Sequence, residues 1–350
     1  MVSVAINGYG RIGRTAHRVI LEKYKSELNI VAINSGSSTD IKGWMYLLKY
    51  DSLYRGINNS ISYEEPSKAE KEKNIIGYLL VDGKKITMFS QKDPSLLPWK
   101  DLGIDVVIES TGVFRTEDTM KLHLQAGAKG VVLSAPVKDG DVPTYVLSVN
   151  SKDYKGENLI DNASCTTNCI TPVAKVMVDN FNVDKAMMTT IHGYTSDQRL
   201  QDGGHKDYRR ARAAALNIIP TSTGATEAAA KALPQLSGIF KGLAIRVPVP
   251  VGSLSDFTFV LKEKTTKEEV IEVFKKESQS PSYKGILEVT EDPLVSSDVI
   301  GNPASAIVDL SLTEVLDNMV KLIAWYDNEY GYANRLVEEV IMVGKGLKTA

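Results

Sequence analysis

The opening of the chain constrains its fold more than any other stretch. Residues 2–7 (VSVAIN) predict a short buried strand, and Gly8, Gly10 and Gly13 follow at once in a G-x-G-x-x-G pattern. Residues 14–24 then place apolar side chains on one helical face. Strand, glycine turn and helix in this order are the setting in which the motif binds a dinucleotide. We therefore expect a dinucleotide site here, the alternative being a purely structural glycine turn.

Each glycine has a physical task in such a turn. Gly8 makes the tight turn, Gly10 lets the backbone approach a pyrophosphate, and Gly13 lets helix and strand pack closely. Further buried strands are predicted at 106–109 and 130–133, each followed by small residues. In an open α/β sheet such turns line the ligand crevice, although any turn would use small residues too.

A second constraint comes from the sequence around Cys165. Small and polar residues precede it, and an apolar helical pattern follows, so we expect a helix to begin at this residue. Unpaired N–H groups and partial positive charge at a helix N-terminus favour the thiolate, which is the nucleophilic form. Most free cysteines are inert and buried, and Cys169, one turn further on, fits that description. We expect no disulfide between the two, because a single helical turn holds their side chains in poor geometry for one. We also expect no metal site, because no nearby His or Cys completes one.

A reactive cysteine needs a base, and His192 is the candidate. It lies 27 residues after Cys165, at the end of the strand predicted for residues 186–191. A lone His is more often structural than catalytic. Together with a cysteine at a helix start and a dinucleotide motif upstream, however, it suggests a thiolate–imidazolium pair that activates sulfur and accepts a proton.

The pattern of elements changes after Cys165. Strands are predicted at 242–249, 255–261, 305–312 and 319–326, with much less helix between them. The predicted fold class is α/β, an N-terminal Rossmann-type doubly wound parallel sheet plus a second α+β catalytic domain with a mainly antiparallel sheet. Other expected features are a hairpin at residues 78–89, around Asp82-Gly83, a solvated loop at 57–75 and a final helix at about 334–343.

Composition limits the number of domains and the class of protein but does not indicate a function. The 350 residues suggest two domains or one large one, and 43% apolar with 24% charged residues is an ordinary globular balance. The net charge of −2 gives no indication of a nucleic-acid or anionic-membrane partner. Two unpaired cysteines suit a reducing cytosol. We expect no signal peptide before the first strand and no membrane span.

At this point the chain resembles the phosphorylating glyceraldehyde-3-phosphate dehydrogenase family almost from end to end. The matching stretches, in chain order, are residues 6–14 (INGYGRIGR), 47–52 (LLKYDS), 109–112 (ESTG), 133–136 (LSAP), 164–169 (SCTTNC), 209–215 (RRARAAA) and 325–332 (WYDNEYGY). The string around Cys165 is highly specific to the family.

The resemblance implies two domains and a mechanism. Residues 1–164 would bind NAD(P), with the last helix, about 328–350, packed back on them, and residues 165–327 would form the catalytic domain. Cys165 would attack the aldehyde of glyceraldehyde 3-phosphate to give a thiohemiacetal. His192 would take the proton, and hydride loss would leave a thioester. Inorganic phosphate would then release 1,3-bisphosphoglycerate. A homotetramer in the cytoplasm is also implied.

The resemblance also assigns binding residues by position. Cofactor-binding positions are Asn7, Gly8, Gly10, Arg11, Ile12, Gly13, Asn34, Ser35, Gly36, Thr111, Ser134, Asn328 and Tyr332. Substrate- and phosphate-binding positions are Ser164, Thr166, Thr195, Asp197, Arg210, Thr223, Gly224 and Arg246. An aspartate is no phosphate donor, so we expect Asp197 to orient Arg246. No metal is expected.

One departure from the family pattern concerns the cofactor. Most NAD-specific relatives have Asp immediately after the residue matched by Asn34, where this chain has Ser35. Without that carboxylate a 2′-phosphate is not repelled. Many bacterial relatives read Asp-Leu-Pro-His where residues 202–205 read DGGH, which opens space. No Arg or Lys stands beside Ser35, so we expect modest discrimination, with use of both NAD and NADP rather than strict use of NAD or strict use of NADP.

Two rival functions remain open from the sequence. Erythrose-4-phosphate dehydrogenase shares the fold, the cysteine and the histidine but barely uses phosphate, and residues at the phosphate positions, such as Arg210, argue against it. A different class is an RNA-binding protein, since relatives of this fold have been reported to bind RNA. The one basic cluster, residues 209–212, has a local explanation in the family pattern, so no nucleic-acid partner is expected.

Overall fold

The computed structural model describes residues 1–349. These residues contain the strands β1 Val2–Asn7, β2 Leu28–Asn34, β3 Tyr50–Asp51, β4 Arg55–Gly56, β5 Ile61–Glu64, β6 Ile75–Val81, β7 Lys84–Phe89, β8 Val106–Glu109, β9 Gly130–Leu133, β10 Leu159–Asp161, β11 Val183–Gly193, β12 Ile219–Thr221, β13 Phe240–Val247, β14 Ser253–Leu261, β15 Leu287–Thr290, β16 Ala306–Asp309, β17 Glu314–Leu316 and β18 Met319–Tyr326. The α-helices are α1 Arg11–Val19, α2 Ile41–Lys49, α3 Lys68–Lys71, α4 Glu117–Gln125, α5 Cys165–Asn180, α6 Ala225–Ala232, α7 Lys267–Ser278 and α8 Tyr330–Thr349.

The chain folds as two compact units. The first holds residues 1–145 and 154–163 and the described chain from Ala333 onward, and the second holds Val146–Asp153 and Ser164–Tyr332. Each unit is built on its own sheet. None of the helices in residues 1–349 has the length and apolar character that a membrane span requires.

The sheet of the first unit has the strand order β10-β9-β8-β1-β2-β7-β6-β5. Its β10, β9, β8, β1, β2 and β7 run parallel, while β6 and β5 are antiparallel additions at one edge. Parallel strands are covered on both faces, and this explains why β8 and β9 are buried at every position. The expected doubly wound parallel sheet is confirmed.

The β6–β7 hairpin confirms a local prediction from the sequence. Asp82 and Gly83 both have positive φ, 48° and 79°, as a two-residue hairpin turn requires. The neighbouring prediction of a solvated loop at residues 57–75 was wrong in part. That stretch contains the edge strand β5 and the short helix α3, because Ile61 can be buried against the sheet even in a polar context.

The sheet of the second unit has the order β12-β13-β11-β14-β18-β16-β15, with β17 paired to β18. Most neighbours are antiparallel, and β11–β13 and β15–β16 are parallel. Helix α5 lies in the core against this sheet, with Cys169, Ile170 and Val173 fully buried. The mainly antiparallel second sheet is confirmed.

The last helix, α8, is longer than the stretch of about 334–343 predicted from the sequence pattern and lies within the range of about 328–350 that the resemblance implied. From Ala333 onward it belongs to the first unit, where Asn334 accepts a hydrogen bond from Lys23 at 2.8 Å and Glu338 accepts one from Tyr24 at 2.7 Å. Gly344 packs so closely on Val2 that a Cβ there would lie 2.5 Å from the valine side chain. These contacts explain how a helix with no sheet of its own is held.

Candidate active site

Helix α5 begins at Cys165, as its sequence context predicted. Ser164 caps the helix, its hydroxyl accepting a hydrogen bond from the Thr167 N–H at 3.1 Å. Cys165 is partly exposed, whereas Cys169 is fully buried with its sulfur 3.9 Å from the Ser255 hydroxyl. Only Cys165 therefore combines access with the unpaired N–H groups of a helix start.

The base predicted from the sequence lies beside this sulfur. His192 is next to last in β11, and its Nε2 is 3.4 Å from the Cys165 Sγ. Its Nδ1 is 2.6 Å from the Gly193 carbonyl oxygen, which can only accept. Nε2 is therefore the ring nitrogen that faces the sulfur, while Nδ1 faces the backbone.

Strand register brings a third group to the pair. The parallel pairing of β11 with β13 sets His192 opposite Arg246. The Arg246 Nη1 lies 2.6 Å from the His192 Nδ1 and donates to the Gly193 carbonyl at 3.1 Å. A positive charge is thus fixed next to the cysteine and histidine, in a place that sequence spacing alone did not reveal.

Burial and this charge shift the pKa values of both Cys165 and His192. Burial raises the pKa of the Cys165 thiol, and the Arg246 charge followed by hydrogen bonds from Thr166 opposes that rise only in part. Burial, and then Arg246, lowers the pKa of His192 to about 3. Burial thus disfavours the charged form of each residue taken singly, while their 3.4 Å contact favours a pair of opposite charges, so the thiolate–imidazolium pair stays a prediction.

Tyr326 is a site residue that the sequence analysis did not single out. Its hydroxyl bonds to the Thr166 hydroxyl at 3.1 Å and to the Thr190 hydroxyl at 2.8 Å, and its ring lies edge-on to His192. It thereby ties the start of α5 to β11. The signal was available, since Tyr326 falls inside the WYDNEYGY stretch quoted for the family resemblance.

Asn328 and Tyr332 follow β18 and are both buried. The Asn328 side-chain oxygen accepts a hydrogen bond from the Ser253 hydroxyl at 2.8 Å, and that hydroxyl in turn accepts from the Gly193 N–H at 3.2 Å. Gly193, the residue after His192, is thus connected to Asn328 through Ser253. Ser253 carried no sequence signal of its own.

Asp197 has a different partner from the one expected. Its carboxylate pairs with Arg210 at 2.7 Å and lies 3.5 Å from His205, so it orients Arg210 rather than Arg246. Arg210 also donates to the Thr221 hydroxyl at 2.9 Å and to the Ser222 carbonyl at 3.2 Å. The prediction was wrong because both arginines follow Asp197 in sequence, and only the fold decides which one its short side chain reaches.

The other predicted anion-binding residues cluster around two helix starts. Gly224 is the N-cap of α6, and the Thr223 hydroxyl accepts from the Ala225 N–H at 3.2 Å. The Ala225 carbonyl accepts from the Thr167 hydroxyl at 3.4 Å, which joins this helix start to that of α5. Thr195, beyond the end of β11, donates its N–H to Gln198 at 3.3 Å.

In the first unit the glycine turn has the geometry that its sequence predicted. A Cβ on Gly8, whose φ is +95°, would lie 2.6 Å from the backbone of Ser110 and Thr111. A Cβ on Gly13 would lie 2.2 Å from the Gly8 carbonyl. Gly10, the N-cap of α1, has nothing within 4 Å of its Cβ position, so the turn is open there to a pyrophosphate. These residues fit a bound dinucleotide.

The ends of the central strands are held by buried polar side chains. Asn34 donates to the Asn7 side-chain oxygen at 2.7 Å, and Asn7 donates to Glu109. His123 lies 3.0 Å from the same Glu109 oxygen and accepts from the Trp99 indole N–H at 3.1 Å. Because an indole can only donate, His123 must carry its hydrogen on Nε2 and donate to Glu109. The sequence gave no signal for Trp99 and His123.

The remaining cofactor candidates lie on the turns after these strands. Thr111 donates both its N–H and its hydroxyl to the Glu109 side chain, and the Ser134 N–H donates to the Glu109 carbonyl at 2.9 Å. The Ser35 hydroxyl lies within hydrogen-bond distance of two backbone carbonyls, those of Ser38 and Phe89. Gly36, with φ +76°, leaves its surroundings open. Arg11 and Ile12 begin α1, where Arg11 pairs with Asp51.

Two family models cover most of the chain. Residues 2–117 match the glyceraldehyde 3-phosphate dehydrogenase NAD binding domain, and residues 164–328 match the C-terminal domain of the same family. The chain belongs to the glyceraldehyde-3-phosphate dehydrogenase family. The resemblance drawn from the sequence is thereby confirmed, and with it an NAD-binding first domain and membership of an oxidoreductase family.

Curated members of the family align over nearly their whole length. Proteins named glyceraldehyde-3-phosphate dehydrogenase are 47% identical over 349 residues in Streptomyces coelicolor, 46% over 350 in Mycobacterium avium and 46% over 352 in Mycolicibacterium smegmatis. Each alignment covers 99% of both chains. Within residues 1–349 no cluster of three or more His, Cys, Asp or Glu has an arrangement that could hold a metal ion.

Proposed function

We propose that this chain oxidises glyceraldehyde 3-phosphate with NAD and inorganic phosphate to 1,3-bisphosphoglycerate. The observation that carries the proposal is the 3.4 Å contact between the Cys165 Sγ at the start of α5 and the His192 Nε2. A sulfur, a base and a fixed cation together form a site for attack on an aldehyde. The family and its curated relatives support the choice of substrate.

The steps follow from the roles of these side chains. As the Cys165 sulfur bonds to the aldehyde carbon, its proton passes to His192 Nε2. N–H groups at the start of α5 stabilise the oxyanion that forms, and this oxyanion takes the proton back from His192 to give the thiohemiacetal. His192 then removes the hydroxyl proton as hydride leaves the carbon, and a thioester remains. A phosphate oxygen attacks the thioester, the acyl phosphate departs, and the Cys165 thiolate takes the proton that His192 holds from the hydride step.

The bound NAD supplies the hydride acceptor. In the first unit its pyrophosphate would lie at the glycine turn, where Gly8 and Gly13 admit no side chain and Gly10 leaves open space. Asn7, Asn34, Glu109 and Thr111 would hold the strand ends that flank that turn.

Two phosphate groups, the one on the substrate and the attacking inorganic phosphate, need hydrogen-bond donors in the second unit. Arg246 is the best-placed cation for one, since it is mostly buried and its Nε has no hydrogen-bond partner in residues 1–349. Arg210, held by Asp197, and the N–H groups at the start of α6 would serve the other. Ser164, Thr166, Thr195, Thr223 and Gly224 remain candidates by position.

We further propose that NADP is accepted beside NAD. The support is that no carboxylate follows Asn34, so nothing at this position repels a 2′-phosphate. The Ser35 hydroxyl adds no support of its own, since it is directed to the backbone carbonyls of Ser38 and Phe89. Ser35→Asp should restore NAD preference, chiefly by raising the KM for NADP. Dual use is excluded if the unmodified enzyme has kcat/KM for NADP more than ~10³-fold below that for NAD, about 4 kcal/mol.

A homotetramer in the cytoplasm completes the proposal. Large apolar side chains stand exposed on the second unit, among them Leu200, Tyr208, Leu216 and Ile218, each more than 70% accessible. Exposed apolar surface of this kind marks contact with another chain. Light scattering should give the mass of four 38.3-kDa chains, and the mass of a single chain would exclude the assembly.

The deciding experiment measures reduction of NAD and of NADP with glyceraldehyde 3-phosphate, with and without inorganic phosphate. Sustained turnover should require phosphate. Erythrose 4-phosphate serves as the control substrate. Equal rates without phosphate, or faster turnover of erythrose 4-phosphate, would contradict the proposed function.

A further inference from the structure

The end of β11 that carries His192 is held differently on its two sides. On one side, β11 stays paired with the parallel strand β13 as far as Gly193, which lies opposite Val247. On the other side, the antiparallel pairing with β14 ends at Ile191, opposite Leu254. His192 and Gly193 therefore extend beyond the last backbone pair between β11 and β14, and another group must fix them on that side.

The hydroxyl of Ser253 is that group. Ser253 begins β14 and is only 1% exposed, and its Oγ accepts a hydrogen bond from the Gly193 N–H at 3.2 Å. The same hydroxyl donates to the Asn328 side-chain oxygen at 2.8 Å. The direction of both bonds is determined, because a backbone N–H can only donate and a hydroxyl has a single hydrogen to give.

The acceptor of the Ser253 hydroxyl is itself held in place. Asn328 is buried in the turn between β18 and α8. The carboxylate of the preceding residue, Asp327, accepts hydrogen bonds from the N–H groups of Glu329 and Tyr330 at 2.9 and 2.8 Å. These bonds fix the turn on which Asn328 lies. Ser253 therefore connects the end of β11 to a well-defined point on the same unit.

The backbone that Ser253 holds also orients the proposed base. The Gly193 N–H belongs to the peptide group that joins Gly193 to His192. The Gly193 carbonyl oxygen lies 2.6 Å from the His192 Nδ1 and accepts from the Arg246 Nη1 at 3.1 Å. With Nδ1 against this carbonyl, Nε2 faces the Cys165 Sγ at 3.4 Å. A shift of the Gly193 backbone would therefore move the imidazole ring relative to the sulfur.

We propose that Ser253 is a positioning residue for His192, holding the Gly193 backbone so that the imidazole Nε2 faces the Cys165 sulfur. The inference rests on the proposed function, since it assigns a further residue to the same reaction. Ser253 acts through Gly193 and takes no part in the bonds that form or break.

Ser253→Ala tests this role, because it removes the hydroxyl with little change in volume. The backbone beside His192 then loses its hold on the β14 side. The single-turnover rate of hydride loss should fall about tenfold, since a small misplacement of a reacting group costs that much or more. The KM for glyceraldehyde 3-phosphate should stay within about twofold, because Ser253 bonds to none of the candidate phosphate-binding residues.

Alkylation of Cys165 by iodoacetamide gives a second readout that needs neither aldehyde nor NAD. Its rate at pH 7 should fall by a similar factor in Ser253→Ala, because the sulfur loses a well-placed base. Ser255→Ala is the matched control. Ser255 lies two residues further along the same face of β14, is fully buried, and its hydroxyl contacts the Cys169 sulfur at 3.9 Å. Both rates in this variant should equal those of the unmodified protein.

Rates are compared per folded protein, with urea unfolding as the measure of stability. An unchanged rate of either step in Ser253→Ala would overturn the proposal, whether or not the variant is less stable. An equal fall of both rates in Ser255→Ala would overturn it too. If the unmodified protein does not oxidise glyceraldehyde 3-phosphate, the proposed function fails, and the alkylation rates still decide whether Ser253 positions His192.

Discussion

Cys165 and Cys169 differ in the two properties that decide thiol reactivity, access and surroundings. Cys165 is partly exposed beside His192 and Arg246, whereas Cys169 is buried in the core. Burial raises the pKa of the Cys169 thiol far above its ordinary value, and only its hydrogen bond with the Ser255 hydroxyl opposes that rise. Reactivity should therefore belong to the first cysteine alone.

Replacing each cysteine in turn tests this difference. Cys165→Ser should abolish dehydrogenase activity, because the nucleophile is lost, while Cys169→Ser should keep most of it. Iodoacetate should label Cys165 far faster than Cys169, as peptide mass spectrometry would show. Equal loss of activity in both variants would contradict the assignment.

His192 has two tasks in the proposed mechanism, activating sulfur and accepting the hydroxyl proton. Removing the base with His192→Asn should lower the single-turnover rate of hydride loss by ~10²-fold or more. Stopped-flow absorbance before thioester breakdown measures that step. A hydride step of unchanged rate would place the base elsewhere.

The residue scale is also where sequence reasoning was limited. It identified Cys165 and His192 from residue type and the predicted ends of elements, and both positions are confirmed as the start of α5 and the end of β11. It assigned the wrong arginine to Asp197. Distances between side chains on different elements depend on register and loop path, which no local pattern contains.

At the scale of elements, the glycine turn and the β11–β13 pair show what each kind of information supplies. Strand, turn and helix at residues 2–19 followed from hydrophobic pattern and glycine spacing. The register that sets His192 opposite Arg246 could not be predicted in this way, because different parallel alignments of two apolar strands give similar sequence patterns. The first is local chemistry, and the second is tertiary packing.

Gly10 and Gly13 form a matched pair that separates cofactor binding from folding. Gly13→Ala should destabilise the protein by about 1–3 kcal/mol, because its Cβ would meet the Gly8 carbonyl at 2.2 Å. Gly10→Ala should leave stability nearly unchanged and weaken NAD binding roughly tenfold, since its Cβ would enter the open space of the turn.

Urea unfolding and calorimetric titration with NAD measure the two effects. Unchanged NAD affinity in Gly10→Ala would show that the pyrophosphate does not approach this turn.

At the scale of the whole molecule, buried histidines couple stability to acid. Burial, and then Arg18, lowers the pKa of His17 to about 3, while the unfolded chain binds this proton near pH 6.5. Stability should therefore fall as pH drops from 6.5 towards 3. His17 should account for about 2 kcal/mol between pH 6.5 and 5.

His17→Gln should reduce the acid sensitivity by that amount when unfolding by urea is compared at pH 7 and pH 5. An identical loss of stability in the variant and the unmodified protein would mean that His17 is protonated in the native state. His192, whose pKa is lowered in the same direction, contributes to both proteins alike.

The overall architecture was largely predictable, whereas the interior chemistry was not. Periodicity and the glycine motif indicated the parallel first sheet and the mainly antiparallel second sheet, because both leave regular apolar patterns. The buried network of Trp99, His123 and Glu109 left no such pattern. Buried polar groups are single residues placed by the fold, so they appear only once the elements are assembled.

The central claim is an acyl-enzyme on Cys165, and trapping it is the most direct test. Enzyme mixed with NAD and glyceraldehyde 3-phosphate in the absence of phosphate should give a burst of NADH, then stop. Mass spectrometry of the quenched protein should find the acyl group on the peptide containing Cys165, and added phosphate should discharge it. Steady NADH formation without phosphate and without an adduct, or an adduct on Cys169, would contradict the account.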